Sequence, residues 1–496
     1  MSIKSFGLAM LLVLCSTAYP IVAQEAQEYP RWVQENIVKV ENNLFTWVRT
    51  DSARCYAIEQ RMKARNIKGV SIAVIHNYQI EWAKGYGWAD TLQRLPVTPS
   101  TLFQTASIGK SVHAFTCLHL AEKKKLSLDN DINIHLRSWK FPYDTVSQGK
   151  PITLAAILSH SAGLGIHGFD GYKVGQPLPR LINVLNGAWP SNSAAVRSKY
   201  APGIKAEYSG GGYEISELLV QDVTGSLYGD YISRNIFKPL KMKRSTYELF
   251  PESQFGNSVA TAYRSNGKPI GCKYHLYPEK ACGAGLWSTA PDIAQFVIAV
   301  QKALAGHSKM LSREMAQKMV TPYLAGSDFA MGAFAENRGG ADYFQHSGLN
   351  EGFSSQYYGS VKNGNGVVVL TNGDDTRFVT EVVNSVAWVY GWKDFTPFQK
   401  KNVVRLPDHV LLNYVGKYQF KDDPEDYMNV AMKDGVLMLV DRSGGNGWPI
   451  YFTSATECFM EEAPWVTQVF TQTETGSTSG FNIIGGGMVQ FAKKVQ

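Results

Sequence analysis

Strand-like sequence stands at both ends of a long segment whose middle is helical, and this placement restricts the fold more than any other feature. Residues 69–75 are rich in β-branched side chains, are turned by His76-Asn77-Tyr78-Gln79, and lead into a second strand over 80–87. Far downstream, 353–359 and 366–371 read as another pair of strands, joined by Lys362-Asn363-Gly364-Asn365. A lone hairpin is marginal in water, so the early and late pairs are expected to share one sheet, built from both ends of a domain. Helices are expected around it. Ile37, Val40, Leu44, Val48, Ile58 and Met62 recur at near-helical spacing across 29–68. Further helices are predicted from about 107 to 123, after a cap at Ser288 or Thr289 with Asp292 in the first turn, and over 377–390. After Lys393 the pattern changes. Pro397, Lys400-Lys401 and Pro407 mark a linker, and beyond Val410 short alternating segments with turns at 433–435 and 443–447 predict a small all-β unit.

The chain has 49 Lys and Arg against 42 Asp and Glu, a formal charge of +7 spread thinly over 496 residues. Its densest basic run, Lys123-Lys124-Lys125, falls where a helix should end and where cations are favoured. No nucleic-acid motif accompanies it, so nucleic acid is not an expected partner. The first 23 residues have the features of an export signal: Lys4, an apolar stretch over 6–15 too short to span a bilayer, then Ala18 and Ala23. Cleavage is expected after Ala23. Bulky Leu14 before Cys15 argues against a lipid anchor, and no later segment is apolar enough for a transmembrane helix. The expected location is periplasmic or extracellular. Five cysteines then remain: Cys55, Cys117, Cys272, Cys282 and Cys458. Cys272 and Cys282 flank a short loop, and export permits a disulfide between them. No Cys/His spacing resembles a zinc site and His-Glu-x-x-His is absent, so no metal or organic cofactor is expected.

Chemistry concentrates at Ser107 and Lys110. Three positions apart on a helix, they share one face with Cβ atoms roughly 5–6 Å apart. A serine hydroxyl keeps its proton at neutral pH, and a lysine beside it with a lowered pKa is a workable acceptor. Two motifs follow at wide spacing: Glu207-Tyr208-Ser209-Gly210-Gly211-Gly212-Tyr213, and Phe344-Gln345-His346-Ser347-Gly348-Leu349-Asn350. In this order they resemble the Ser-x-x-Lys, Tyr-x-Asn and Lys-Thr-Gly signatures of the serine β-lactamase and penicillin-binding-protein superfamily. The resemblance runs over about residues 50–392 and includes the stretches at 158–164 and 284–292. It points to the class C-like branch, which includes esterases and D-amino-acid peptidases. The C-terminal part, beginning at Leu412-Asn413-Tyr414-Val415-Gly416-Lys417-Tyr418, is similar to the lipocalin-like appendage of many members.

The resemblance implies an α/β (α+β) fold: a central antiparallel sheet flanked by helices, a helical subdomain, and a small C-terminal β-barrel-like domain. The implied organisation is a signal peptide (1–23), a hydrolase domain (24–395), a linker (396–409) and a lipocalin-like domain (410–496). Ser107 would form an acyl-enzyme, with Lys110 and Tyr208 sharing proton transfer and either serving as the base. The backbone N–H groups of Ser107 and Leu349 would hold the oxyanion. Gly348 would leave room for substrate beside the strand. His346 replaces the family's lysine, with Ser347 next to it, and would donate a hydrogen bond and carry charge at low pH. Gly210 stands where the family has asparagine, which weakens the case for β-lactam hydrolysis. Glu351 adds a carboxylate that would favour an amine-bearing substrate if it faced the site. His160 and His167 lack a carboxylate or cysteine to complete a metal set and read as structural. The expected partner is a small-molecule or peptide substrate, either an ester, a D-amino-acid peptide or a β-lactam; no oligomeric state follows. The competing expectation is a penicillin-binding or wall-fragment sensor that acylates without efficient turnover.

Overall fold

The computed structural model describes residues 28–46, 48–50, 55–396, 399–420, 427–433, 435–440, 447–461, 463–485 and 488–495. The expected signal peptide, its cleavage site and most of the 443–447 turn lie outside these residues.

The early and late strands do form one sheet. Its strands are β1 (Gly69–His76), β2 (Gln79–Asp90), β3 (Leu95–Pro96), β4 (Phe334–Arg338), β5 (Ala341–Asn350), β6 (Phe353–Ser360) and β7 (Gly366–Thr371), in the order β3-β2-β1-β7-β6-β5-β4. Every neighbouring pair is antiparallel. The two halves of the chain meet where β1 pairs with β7, from Val70 opposite Thr371 to Ile75 opposite Gly366. Both central strands are covered on both faces, so they read as continuous apolar runs. Val70, Ile72, Val74, Val367 and Val369 pack on one side with α1 (Arg31–Glu41), α2 (Ile58–Ala64) and α6 (Thr376–Val389). Ala73, Ile75, Val368 and Leu370 pack on the other with α3 (Gly109–Glu122), α4 (Gly210–Thr224) and α5 (Ala290–Leu304). Thr289 caps α5, its Oγ1 accepting the Asp292 N–H at 3.2 Å.

Two expectations need correction. The helical pattern over 29–68 breaks into α1 and α2, because Leu44 is taken into a bridge with Tyr56 and Val48 begins a short strand paired with Gln399–Lys401. Cys272 and Cys282 are both free thiols. Each sulphur instead faces a nearby carbonyl of its own segment, Cys272 that of Tyr274 at 3.2 Å and Cys282 that of Glu279 at 3.5 Å.

The C-terminal strands close an eight-stranded antiparallel barrel that runs from Gly416–Phe420 to Met488–Lys494, the first strand pairing with the last. Its interior is filled by aromatic rings, with Tyr414 stacked on Phe470 at 4.2 Å and Phe481 beside Tyr418 at 4.8 Å. Among the described residues no helix is long and apolar enough to cross a membrane.

Candidate active site

Ser107 sits in a single 3-10 turn, Ala106–Ile108, that feeds directly into α3. The residue before it, Ala106, has φ of +48°, a left-handed conformation that side chains other than glycine rarely adopt. Three contacts hold this turn. The Thr105 N–H donates to the Leu286 carbonyl at 2.9 Å, Ser355 Oγ donates to the Thr105 carbonyl at 2.7 Å, and Gly283 presses on the start of α3. Gly283 has φ of +89°, and a Cβ there would stand 2.5 Å from the Ala106 carbonyl oxygen, so only glycine fits.

Lys110, in the first turn of α3, is 2% exposed. Its Nζ donates to Ser107 Oγ at 3.1 Å and to the Cys282 carbonyl, and lies 4.8 Å from the centroid of the Tyr208 ring. Tyr208 precedes α4, whose N-cap Ser209 accepts the Gly212 N–H at 3.1 Å. The tyrosine ring is flanked by two histidines, His160 stacked at 4.3 Å and His167 at 4.9 Å. His160 Nδ1 accepts the Ser209 N–H at 3.0 Å, which leaves its proton on Nε2. Burial, with Lys110 nearby, pushes this imidazole well below its usual range, so it is neutral. No spacing in the sequence announces this packing; only the 158–164 stretch points towards His160. Among the described residues no group of three or more His, Cys, Asp or Glu side chains is placed to hold a metal ion.

The third motif lies at the end of β5. Strand β4 pairs with β5 only over 341–345, so 346–350 run on past their outer neighbour beside the site. Side chains alternate there: Ser347 and Leu349 face outward, while His346, Gly348 and Asn350 point into the protein. Burial first, and then Lys110, lowers the His346 pKa to about 3, and its Nδ1 donates to the Ser347 carbonyl at 2.6 Å. The charge expected of His346 at low pH is thereby confined to strongly acidic conditions. A cavity of about 740 Å³ is lined by Ser107, Lys110, Tyr208, His346, Ser347 and Leu349, among others.

Both glycines of interest act by close packing. A Cβ on Gly348 would lie 2.5 Å from Ser355 Oγ, 2.9 Å from Ala106 Cβ, and closer still to the Thr105 carbonyl oxygen. Gly348 thus lets the strand approach the Ser107 turn, and it also lines the cavity, where its bare backbone is open to a ligand. Gly348→Ala is expected to destabilise the protein by about 1–3 kcal/mol and to lower kcat by about 100-fold, as the turn is pushed off register. Thermal melts and ester turnover measure the two effects, and wild-type values in both would refute this account. Gly210 is buried away from the cavity: a Cβ there would meet the His167 carbonyl at 3.0 Å and the Phe169 ring at 3.4 Å, so that loop fills the space an asparagine would need. Glu351 forms an ion pair with Arg264, beside a smaller neighbouring depression, so its carboxylate already has a cationic partner.

This arrangement gathers a serine hydroxyl, a lysine amine nitrogen and a tyrosine oxygen along one open cavity, the atoms needed for acyl transfer to serine with a proton acceptor at hand. The sequence model of the family described as Beta-lactamase matches residues 57–386. A curated relative, Protein flp of Staphylococcus aureus (strain MW2), is 26% identical over 323 residues, covering 64% of this chain and 61% of the relative. The chain thus spans less than two thirds of that relative's length. The putative penicillin-binding protein PbpX of Bacillus subtilis (strain 168) is 27% identical over 335 residues, covering 66% of this chain and 76% of PbpX. Among solved structures, the octameric penicillin-binding protein homologue from Pyrococcus abyssi superposes with a TM-score of 0.57 at 22% identity, covering 88% of this chain and 98% of that one. The D-amino acid amidase from Ochrobactrum anthropi SV3 gives 0.56 at 19% identity, covering 72% and 98%. These superpositions establish the fold.

Proposed function

The chain belongs to the beta-lactamase family, and from that membership and the site's geometry we propose that it is an exported serine hydrolase working through an acyl-enzyme. The observation that carries the reading is Lys110 Nζ, buried and 3.1 Å from Ser107 Oγ at the end of an open cavity. Ser107 Oγ attacks the substrate carbonyl carbon while its proton passes to the Lys110–Tyr208 pair. The N–H groups of Ser107 and Leu349 hold the oxyanion, the leaving group departs with a proton, and water then releases the acyl group. The substrate is a small ester, a D-amino-acid peptide or a β-lactam. The crowded surroundings of Gly210 favour the first two, since no side-chain amide is available there to hold a β-lactam's own amide. The amidase activity named for a structural neighbour supports the same choice. The reading of export, to the periplasm or outside the cell, is supported by the features of the N-terminal 23 residues. The C-terminal barrel is read as a lipocalin-like appendage, supported by its eight closed antiparallel strands.

A second reading, a penicillin-binding sensor that acylates without efficient turnover, is favoured by the name of the Bacillus subtilis relative. Intact-mass spectrometry after incubation with a penicillin separates the two. A transient adduct or none, together with turnover of a chromogenic ester or a D-amino-acid amide, is the expected result. A lasting adduct on Ser107 would establish the sensor. A protein that neither turns over a substrate nor becomes labelled at Ser107 by a fluorophosphonate would end both readings.

A further inference from the structure

Behind the lysine lie three buried carboxyl groups for which the acyl-transfer scheme has no use: Glu214, Glu217 and Glu279. Glu214 and Glu217 are three apart on α4 and share the face turned to the loop at 279–285. Glu214 Oε1 accepts the Cys282 N–H at 2.8 Å, and Glu217 Oε2 accepts those of Ala281 at 2.9 Å and Lys280 at 3.2 Å. Buried backbone donors need acceptors, and here two side chains of α4 supply them to a loop that has left regular structure. The residue whose N–H is fixed by Glu214 is the one whose carbonyl accepts from Lys110.

We infer that Glu214 is a positioning residue for Lys110: by holding the Cys282 N–H it aims the Cys282 carbonyl, and that carbonyl places the ammonium against Ser107 Oγ. The inference rests on the serine-hydrolase reading and deepens it. Both ends of the lever are restrained. Asn350 Nδ2 donates to the Ala284 carbonyl at 2.9 Å from the strand side, and Gly283 packs against the Ser107 turn. Because α4 begins two residues after Tyr208, one helix sets both the tyrosine and, through the loop, the lysine. Glu214 acts as a neutral acceptor. Burial first, and then the like charge of Glu217, raises its carboxyl well above the usual range.

The test compares Glu214→Gln, which keeps an acceptor of the same shape, with Glu214→Leu, which removes it. Glu214 does not line the cavity, so KM for a chromogenic ester should stay within about twofold in both. The leucine variant should lose about tenfold or more in kcat and in the rate of Ser107 labelling by a fluorophosphonate, while the glutamine variant stays within about threefold of wild type. A leucine variant that folds and keeps its kcat overturns the inference, as does a glutamine variant that falls about tenfold, since the acceptor would then not be what matters. If the leucine variant fails to fold, the glutamine result alone decides. A wild type that is neither labelled nor active removes the hydrolase reading and this inference with it; an active wild type with an equally active leucine variant removes the inference alone.

Discussion

Ser107→Ala is expected to lower kcat on any ester the wild type cleaves by about 10⁵–10⁶-fold, equivalent to roughly 7–8 kcal/mol of transition-state stabilisation. The effect is large because the substitution removes the atom that would bond to the substrate, and no neighbouring group can replace it. Ser111, the nearest downstream hydroxyl on α3, is buried and committed to the Gly332 carbonyl and to Tyr357. The fold should be indifferent. Lys110 keeps its bond to the Cys282 carbonyl, and the turn keeps the Thr105 contacts that hold it. The variant should therefore melt within a few degrees of wild type while fluorophosphonate labelling disappears. Turnover at more than about one per cent of wild type, in protein free of contaminating esterase, would sink the assignment of Ser107 as nucleophile.

The largest expected effect on stability lies on the opposite face of the sheet. Glu381 on α6 is almost fully buried and is gripped by two guanidinium groups. Arg61 reaches it through Nε at 2.6 Å and Nη2 at 2.5 Å, and Arg65 through Nε at 2.9 Å and through Nη2. A second carboxylate, Asp375, stands 3.5 Å from Arg65. Glu381→Leu leaves Arg61 and Arg65 with less negative charge than they need in a region closed to water. Breaking one side of a buried ion pair in this way is expected to remove about 3–5 kcal/mol from the unfolding free energy. Urea titration followed by circular dichroism measures it, and a loss under about 1 kcal/mol would show that the arginines find water or Asp375 instead. Well below the melting range KM should not change, because none of these groups lines the cavity.

Which parts were legible in the sequence follows from how each part is stabilised. Strands β1 and β7 are buried on both faces, so their apolar runs stand out. Strand β4 was missed because none of residues 334–338 is fully buried. Strand β5 was expected only through the resemblance, which put a strand at Gly348, since no clean alternation marks 341–350, where Tyr343 and Phe344 are buried side by side. Over 29–68 the apolar spacing continued past the true end of α1, since Leu44 is buried by a bridge and not by a helix face. In the site, Ser107 and Lys110 were readable because one helix turn joins them, and Tyr208 and His346 because their motifs follow in order. The stacking of His160 on Tyr208 spans two loops and leaves no periodic trace. The glycines show the same limit: a glycine in a sequence announces freedom or crowding without saying which atoms crowd it. For Gly348 those atoms are Thr105, Ala106 and Ser355, brought there by the fold. The sulphurs of Cys272 and Cys282 teach it again, since ten residues of separation say nothing about where two side chains point.

The pairing of β1 with β7 also governs when this protein can become active. Its register joins Val70 to Thr371, so the sheet cannot be completed until nearly the whole domain has been synthesised. Contacts this distant in sequence make folding slow, because a large loop must be closed before they stabilise anything. The nucleophile is made early, the tyrosine midway, and the strand bearing His346 and Leu349 late. A chain still being made therefore carries Ser107 and Lys110 before Tyr208, and well before the strand that completes the site. On the proposed reading, the site is assembled only when the last central strand is in place, so acyl transfer waits for the fold to close.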